Sequence, residues 1–248
     1  MPDLVSSIRE KYQFTLDQIA SAARKSGRAP EEVRLVVVTK SQPLEIVQAA
    51  IEAGVRILGE NYPEEGVTKI QSLPPQSGVE WHMIGHVQSR KARLVAEHFE
   101  LLHSLDSLKL ARRLDRLAAE RNRALPVLLE FNVGGEESKS GWDASDDARW
   151  DALLPEVESI LGLPSLRVRG LMTMPPLETD PEDSRRFFLR LRLLRDRLAL
   201  IFPRADWREL SMGTSADYTV AVEEGATLVR VGTAIVGARR SKSEVEAL

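Results

Sequence analysis

The chain has 248 residues, a formal net charge of −3, 43% hydrophobic but only 5% aromatic residues, and no cysteine. Without cysteine there are no disulfides, thiol nucleophiles or cysteine metal sites, and the small net charge argues against a nucleic-acid partner or an acidic membrane surface. The N-terminus has no apolar signal core, and no apolar run reaches the roughly eighteen residues of a membrane span, so a cytoplasmic protein is expected.

Val5, Ile8, Tyr12, Leu16 and Ile19 recur at helical spacing, predicting an amphipathic helix that Gly27 and Pro30 end. Arg34-Leu-Val-Val-Val-Thr39-Lys40 reads as a strand buried on both faces. A helix over 44–53 follows, with Pro43 at its start and Gly54 as its stop. Arg56-Ile-Leu58 is a second strand, leading through Gly59-Glu60-Asn61-Tyr62 to a helix carrying Val67 and Ile70. Val79 to Ile84 is a third strand ending at Gly85, with a helix over 88–97. Glu100 to Ser104 is a fourth, followed by a helix marked by Leu108, Ala111, Leu114 and Leu117.

Pro126 to Val133 is the fifth strand, after which the polar loop 134–141 leads into a helix over 146–161. Leu166 to Met172 is the sixth, followed by a helix from about Asp183 to Ile201. Trp207 to Leu210 is the seventh, with a helix over 217–224, and Thr227 to Val231 is the eighth, before Gly232-Thr233. That makes eight strands, each but the last followed by a helix, with no linker or composition shift between them. The pattern predicts an α/β fold, a single (β/α)8 TIM-type barrel with an extra N-terminal helix, as one domain over 1–248 with a polar tail at about 241–248. An open doubly wound sheet is the rival, but Thr39-Lys40-Ser41-Gln42 is not the Gly-rich loop it favours after its first strand.

Lys40 stands at the C-terminal end of the first strand, where parallel α/β folds bind ligands. Apolar neighbours disfavour a lysine's charge, which suits a Schiff-base amine; taken alone, the stretch also fits an ordinary solvent-facing lysine. Asn61, His82, His103, Asn132, Met172, Ser211 and Gly232-Thr233 likewise fall at or just beyond strand ends, which a barrel gathers on one face. Ser211 to Ser215 and Gly232 to Gly237 supply hydroxyls and approachable backbone N–H groups after the last two strands, a frequent phosphate site. Arg230 sits where alternation turns it inward, and a buried arginine needs a partner, structural or ligand.

In matching order, Val-Val-Thr-Lys40, Gly-Glu-Asn61-Tyr, Trp-His82-Met-Ile-Gly85-His-Val-Gln88, Phe-Asn132 with Glu136-x-x-Lys139-x-Gly141, Gly170-Leu-Met172, Ser211-Met-Gly-Thr-Ser215-x-Asp217 and Val-Arg230-Val-Gly-Thr233 resemble the pyridoxal-phosphate homeostasis protein family. These barrels are similar to the N-terminal domain of alanine racemase. The resemblance implies that Lys40 forms an aldimine with pyridoxal 5′-phosphate and that Arg230 lies against the pyridine nitrogen. It also implies that Ser211, Ser215, Gly232 and Thr233 hold the phosphate while Asn61, His82 and Met172 line the pocket. Thr214 and Val236 depart from the family's more usual Met and Phe.

An arginine cannot protonate the pyridine nitrogen, so the ring is a weak electron sink. The three tyrosines, Tyr12, Tyr62 and Tyr218, do not follow the barrel as a racemase's second base would. The expectation is therefore a monomeric carrier in vitamin B6 homeostasis that releases cofactor to apo-enzymes. The alternatives are a slow amino-acid racemase or, less well matched, a cofactor-free Schiff-base aldolase. The arginines between Arg185 and Arg197 follow an acidic stretch and read as a solvated helix face, and His82 and His86 lack the helical context of a zinc pair.

Overall fold

The computed structural model describes residues 3–74 and 78–238, so the tail expected at 241–248 lies outside the described residues. In β1 (Arg34–Val38) two-sided burial follows from alternation: Leu35 and Val37 join the large outer core, whereas Val36 packs inward with Leu101, Leu128, Met172 and Leu228. The other strands are β2 (Ile57–Glu60), β3 (Glu80–Met83), β4 (Leu101–Leu105), β5 (Leu125–Asn132), β6 (Trp142–Asp143), β7 (Leu166–Met172), β8 (Glu209–Ser211) and β9 (Leu228–Val231). They run in the order β4-β3-β2-β1-β9-β8-β7-β5, and a β4–β5 pairing closes the ring. All pairings in the ring are parallel. The two-residue β6 pairs only with β5, outside the ring.

Helices α2 (Leu44–Glu52), α3 (Pro63–Ser72), α4 (Ala92–His98), α5 (Leu108–Ala119), α6 (Leu154–Leu161), α7 (Arg185–Ile201) and α8 (Tyr218–Glu223) connect the strands. The expected helix over 146–161 divides into a 3-10 segment, Asp147–Leu153, and α6. Pro155 lies in the first turn of α6, where its missing N–H costs nothing, and it favours a new start there. The expected seventh strand moves to Glu209–Ser211, because Trp207 is an anchor whose indole N–H donates to Phe202 O at 3.1 Å. The last strand is also followed by a helix, the four-residue α9 (Thr233–Val236), too short to show periodicity in sequence.

The N-terminal helix α1 (Leu4–Lys25) starts where the Asp3 carboxylate accepts the Ser6 N–H at 2.7 Å. It buries Ile8, Ile19, Ala22 and Ala23 and packs against α2, α8 and α9, occupying the gap in the outer ring that α9 is too short to fill. The arginines of α7 point outward into ion pairs with Glu182, Glu223, Glu224 and Asp151. Among the described residues no helix is long and apolar enough to cross a membrane.

Period-two alternation also sorts the barrel interior into layers. Arg34, Glu80, Pro126 and Glu209 line a cavity at the N-terminal mouth. Two residues further along the same strands stand Val36, His82, Leu128 and Ser211, all buried, with His82 reaching the wall of that cavity. Another step of two or four brings Lys40, Ile84 and Glu130 into a cavity at the C-terminal mouth. Gly170 is required by the wall itself: at φ +148 in β7, a Cβ there would stand 1.9 Å from Glu209 O of β8.

Candidate functional site

The C-terminal mouth encloses about 550 Å³. Lys40 enters it directly after β1, and the chain around it is gripped tightly. Ser41 adopts a left-handed φ of 56°, which costs a β-carbon-bearing residue roughly 1 kcal/mol. The strain is held by hydrogen bonds: Ser41 N–H donates to Glu65 Oε1 at 2.6 Å, and Gln42 N–H to Thr39 O at 3.1 Å. From the other side the buried Lys69 donates to Thr39 O at 2.6 Å, Glu60 Oε1 at 2.8 Å and Glu65 Oε1 at 2.6 Å. Burial pushes the Glu60 carboxyl above its ordinary range, and Lys69 opposes that shift.

Arg230 forms the floor, 4% exposed. Its Nη1 donates to Ser211 Oγ, and its Nη2 to Thr173 O and Met174 Sδ, each at 2.9 Å. Among the described residues no carboxylate forms an ion pair with it. Burial pulls its pKa down to about 10, and the charges of Glu130 and Asp217 oppose the shift. On the far wall, at the end of β5, Glu130 is 6% exposed, and its Oε2 has no hydrogen-bond partner. Burial, with Asp106 adding to it, raises the Glu130 pKa to about 7. Asn61 Oδ1, after β2, is the second buried oxygen of the cavity without a partner. Its backbone lies so close to Gly85 that a Cβ there would stand 2.4 Å from Asn61 O.

The β8 and β9 loops complete the cavity with Thr214, Ser215, Gly232 and Thr233. Asp217 shapes the first of these by accepting from the Thr214 N–H at 2.7 Å and its hydroxyl at 3.1 Å. Ser215 Oγ accepts the Gly232 N–H at 3.3 Å, joining the two loops. Hydroxyls and backbone N–H groups grouped in this way suit a phosphate, while Lys40, Arg230 and the two unpartnered oxygens suit a polar ring bearing an electrophilic carbon.

Of the nine residues expected at the site, Lys40, Asn61, Ser215, Arg230, Gly232 and Thr233 line this cavity. His82, Met172 and Ser211 do not; they lie one layer below, 1%, 1% and 0% exposed. Met172 belongs to the aliphatic interior beside Val36. Ser211 and His82 join an axial hydrogen-bond chain through His103: Ser211 Oγ to His103 Nδ1 is 2.8 Å, and His103 Nε2 to His82 Nδ1 is 3.0 Å. His82 Nε2 then meets Glu80 Oε2 at 3.2 Å, at the N-terminal mouth. Asn132 also stays outside the cavity, accepting the Gly135 N–H and donating to Glu136 O to shape the 134–141 loop. Sequence reasoning passed over Glu130, although a carboxylate inside Val-Leu-Leu-Glu-Phe-Asn, two residues beyond an inward Leu128, was a readable signal. It also passed over Lys69, which looks like a helix-surface lysine.

The family model described as alanine racemase, N-terminal domain, matches residues 15–240. A pyridoxal phosphate homeostasis protein of Vibrio alginolyticus is 42% identical over 238 residues, covering 95% of this chain and 99% of that protein. The structure of PipY of Synechococcus elongatus with PLP bound superimposes with a TM-score of 0.76 at 36% identity, covering 88% of this chain and all of that one. Alanine racemase of Clostridium difficile matches with a TM-score of 0.70 at 14% identity, a likeness of fold alone that spans 58% of the racemase chain.

Proposed function

The chain belongs to the alanine racemase N-terminal domain family and to the pyridoxal phosphate homeostasis proteins, and on that premise we propose that its C-terminal mouth binds pyridoxal 5′-phosphate through Lys40. The observation that carries this reading is the convergence, in one cavity, of Lys40, Arg230, a cluster of hydroxyls and two buried oxygens without partners. When bound, the cofactor supplies an aldehyde carbon to which a primary amine adds reversibly with loss of water. Lys40 supplies that amine on a backbone fixed by Ser41 and Lys69. Arg230 takes the ring nitrogen as a donor that stays cationic near neutral pH. Ser215, Gly232 and Thr233, with Thr214 beside them, hold the phosphate, and Asn61 and Glu130 take the remaining polar groups.

A donor-only arginine leaves the ring a weak electron sink, and none of the three tyrosines lines the cavity. Both features favour a carrier. The protein then acts as a monomer in the cytoplasm, limits free cofactor in vitamin B6 homeostasis, and passes it to apo-enzymes. The test is a visible absorption spectrum of protein incubated with pyridoxal phosphate, followed by borohydride reduction and peptide mapping. The expected result is a pyridoxyl group fixed on Lys40 and absent from Lys40→Ala, with transfer to an apo-enzyme and no exchange of an amino-acid α-proton. Protein that stays colourless and unlabelled would overturn the binding reading, and Lys40-dependent α-proton exchange would replace the carrier with a catalyst.

A further inference from the structure

The axial chain beneath the cavity takes one direction when its two rings are neutral, the form that burial favours for both. The Glu80 carboxylate accepts, so His82 Nε2 donates to it and His82 Nδ1 is left as an acceptor. His103 Nε2 then donates to His82 Nδ1, which makes His103 Nδ1 the acceptor of the Ser211 hydroxyl. Ser211 Oγ in turn accepts from Arg230, because a guanidinium only donates. Each ring is thereby held in its Nε2–H tautomer. The surrounding charges agree: Arg230 and Arg34 hold His103 down on top of its burial, while Glu80 and Glu100 only partly offset the burial of His82.

Packing alone could fill this layer with aliphatic side chains. The same interior is filled elsewhere by Val36, Leu101, Leu128, Met172 and Leu228, and buried polar groups at best break even with well-packed aliphatic ones. A completely hydrogen-bonded network does fix orientation, and it ends on the one side chain that lines the cavity, Arg230.

We propose that His103 is a positioning residue which, through Ser211, holds the Arg230 guanidinium in the plane and donor state needed to meet the ring nitrogen of the bound cofactor. This rests on the cofactor reading above. Two measurements test it, the first without any cofactor. Long-range ¹H–¹⁵N correlation of the imidazoles in the unliganded wild-type protein is expected to show His82 and His103 both in the Nε2–H tautomer and uncharged at neutral pH. A Nδ1–H tautomer or an imidazolium at His103 would overturn the proposal even if the cofactor binds.

The second compares His103→Leu with His103→Asn, whose amide oxygen can replace Nδ1 as the acceptor of the Ser211 hydroxyl. His103→Leu is expected to keep the borohydride-fixed label on Lys40, with affinity for pyridoxal phosphate about tenfold lower and a displaced absorption maximum. His103→Asn should restore both. Ser211→Ala should reproduce the effect of His103→Leu, and it carries the test if that variant does not fold. Wild-type affinity and spectrum in either variant would sink the proposal and leave the cofactor reading standing; a wild-type protein that takes no label would sink both.

Discussion

The barrel opens at each end into a cavity of similar size, about 550 Å³ at the C-terminal mouth and about 440 Å³ at the N-terminal one, and charged side chains line both. At the N-terminal mouth those charges close on one another. Arg34 pairs with Glu209 at 2.8 Å, Arg169 and Arg208 share Asp206 at 2.6 and 2.9 Å, and Glu100 accepts the Trp81 N–H at 2.7 Å. At the C-terminal mouth Asn61 and Glu130 keep buried oxygens without partners, and among the described residues no carboxylate pairs with Arg230. A further cavity of about 620 Å³ lies away from this mouth, beside α6 and α7, and none of its lining residues holds a buried unpartnered side-chain atom. Unmet polarity, rather than volume, marks the proposed binding end.

The contrast is broken most severely at Lys69, which beside the C-terminal mouth pairs with Glu60 and Glu65 as the charges of the other end pair with one another. Lys69→Met leaves Glu60, fully buried, facing no cation. The expected loss is about 3–5 kcal/mol in urea unfolding, with weaker capture of the aldehyde by Lys40 because Thr39 O also loses its donor. A change of less than about 1 kcal/mol would show that the Lys69 cluster contributes little to this mouth.

A subtler break is Glu130→Gln. The folded pKa of about 7 lies above a glutamate's ordinary 4.5, so the neutral acid is the form the fold prefers. Its contribution is complete below pH 4.5 and is lost as the pH rises to 7. In the unliganded protein the substitution should therefore remove a decline in stability across that window, worth at most about 3 kcal/mol. Unfolding curves at several pH values measure it, and an unchanged slope would mean that Glu130 is paired or hydrated. The mildest change is Arg34→Met, whose partly exposed pair with Glu209 should cost no more than about 1 kcal/mol and leave Lys40 labelling untouched. Lost labelling would show that the two ends are not independent.

Alternation and turn residues were enough to read the eight barrel strands, and strand ends were enough to bring Lys40, Asn61, Arg230 and Gly232 to one mouth. They could not separate that mouth from the layer below. Two residues along a strand are about 6.6 Å, so Ser211 falls into the interior while Ser215 reaches the cavity. His82 and Met172 were placed too high for the same reason. Glu130 was hidden inside an apolar strand, and Lys69 becomes a core residue only when Glu60 and the end of β1 close over it, which no local pattern records. The two-residue β6 and four-residue α9 are too short to have a period.

Helix α1 fills the gap after β9, yet the two regions sit at opposite ends of the chain. The Lys25–Glu223 pair spans 198 residues, and Arg28 reaches equally far to donate to Ala226 O. Contacts of that separation carry a large loop-closure entropy and tend to form late. On the ribosome α1 emerges well before α8 and α9, and of its three neighbours only α2 follows it closely. The part of its surface that meets α8 and α9 must then stay uncovered until those helices have been made. That surface is where the nascent chain is most exposed to misassociation.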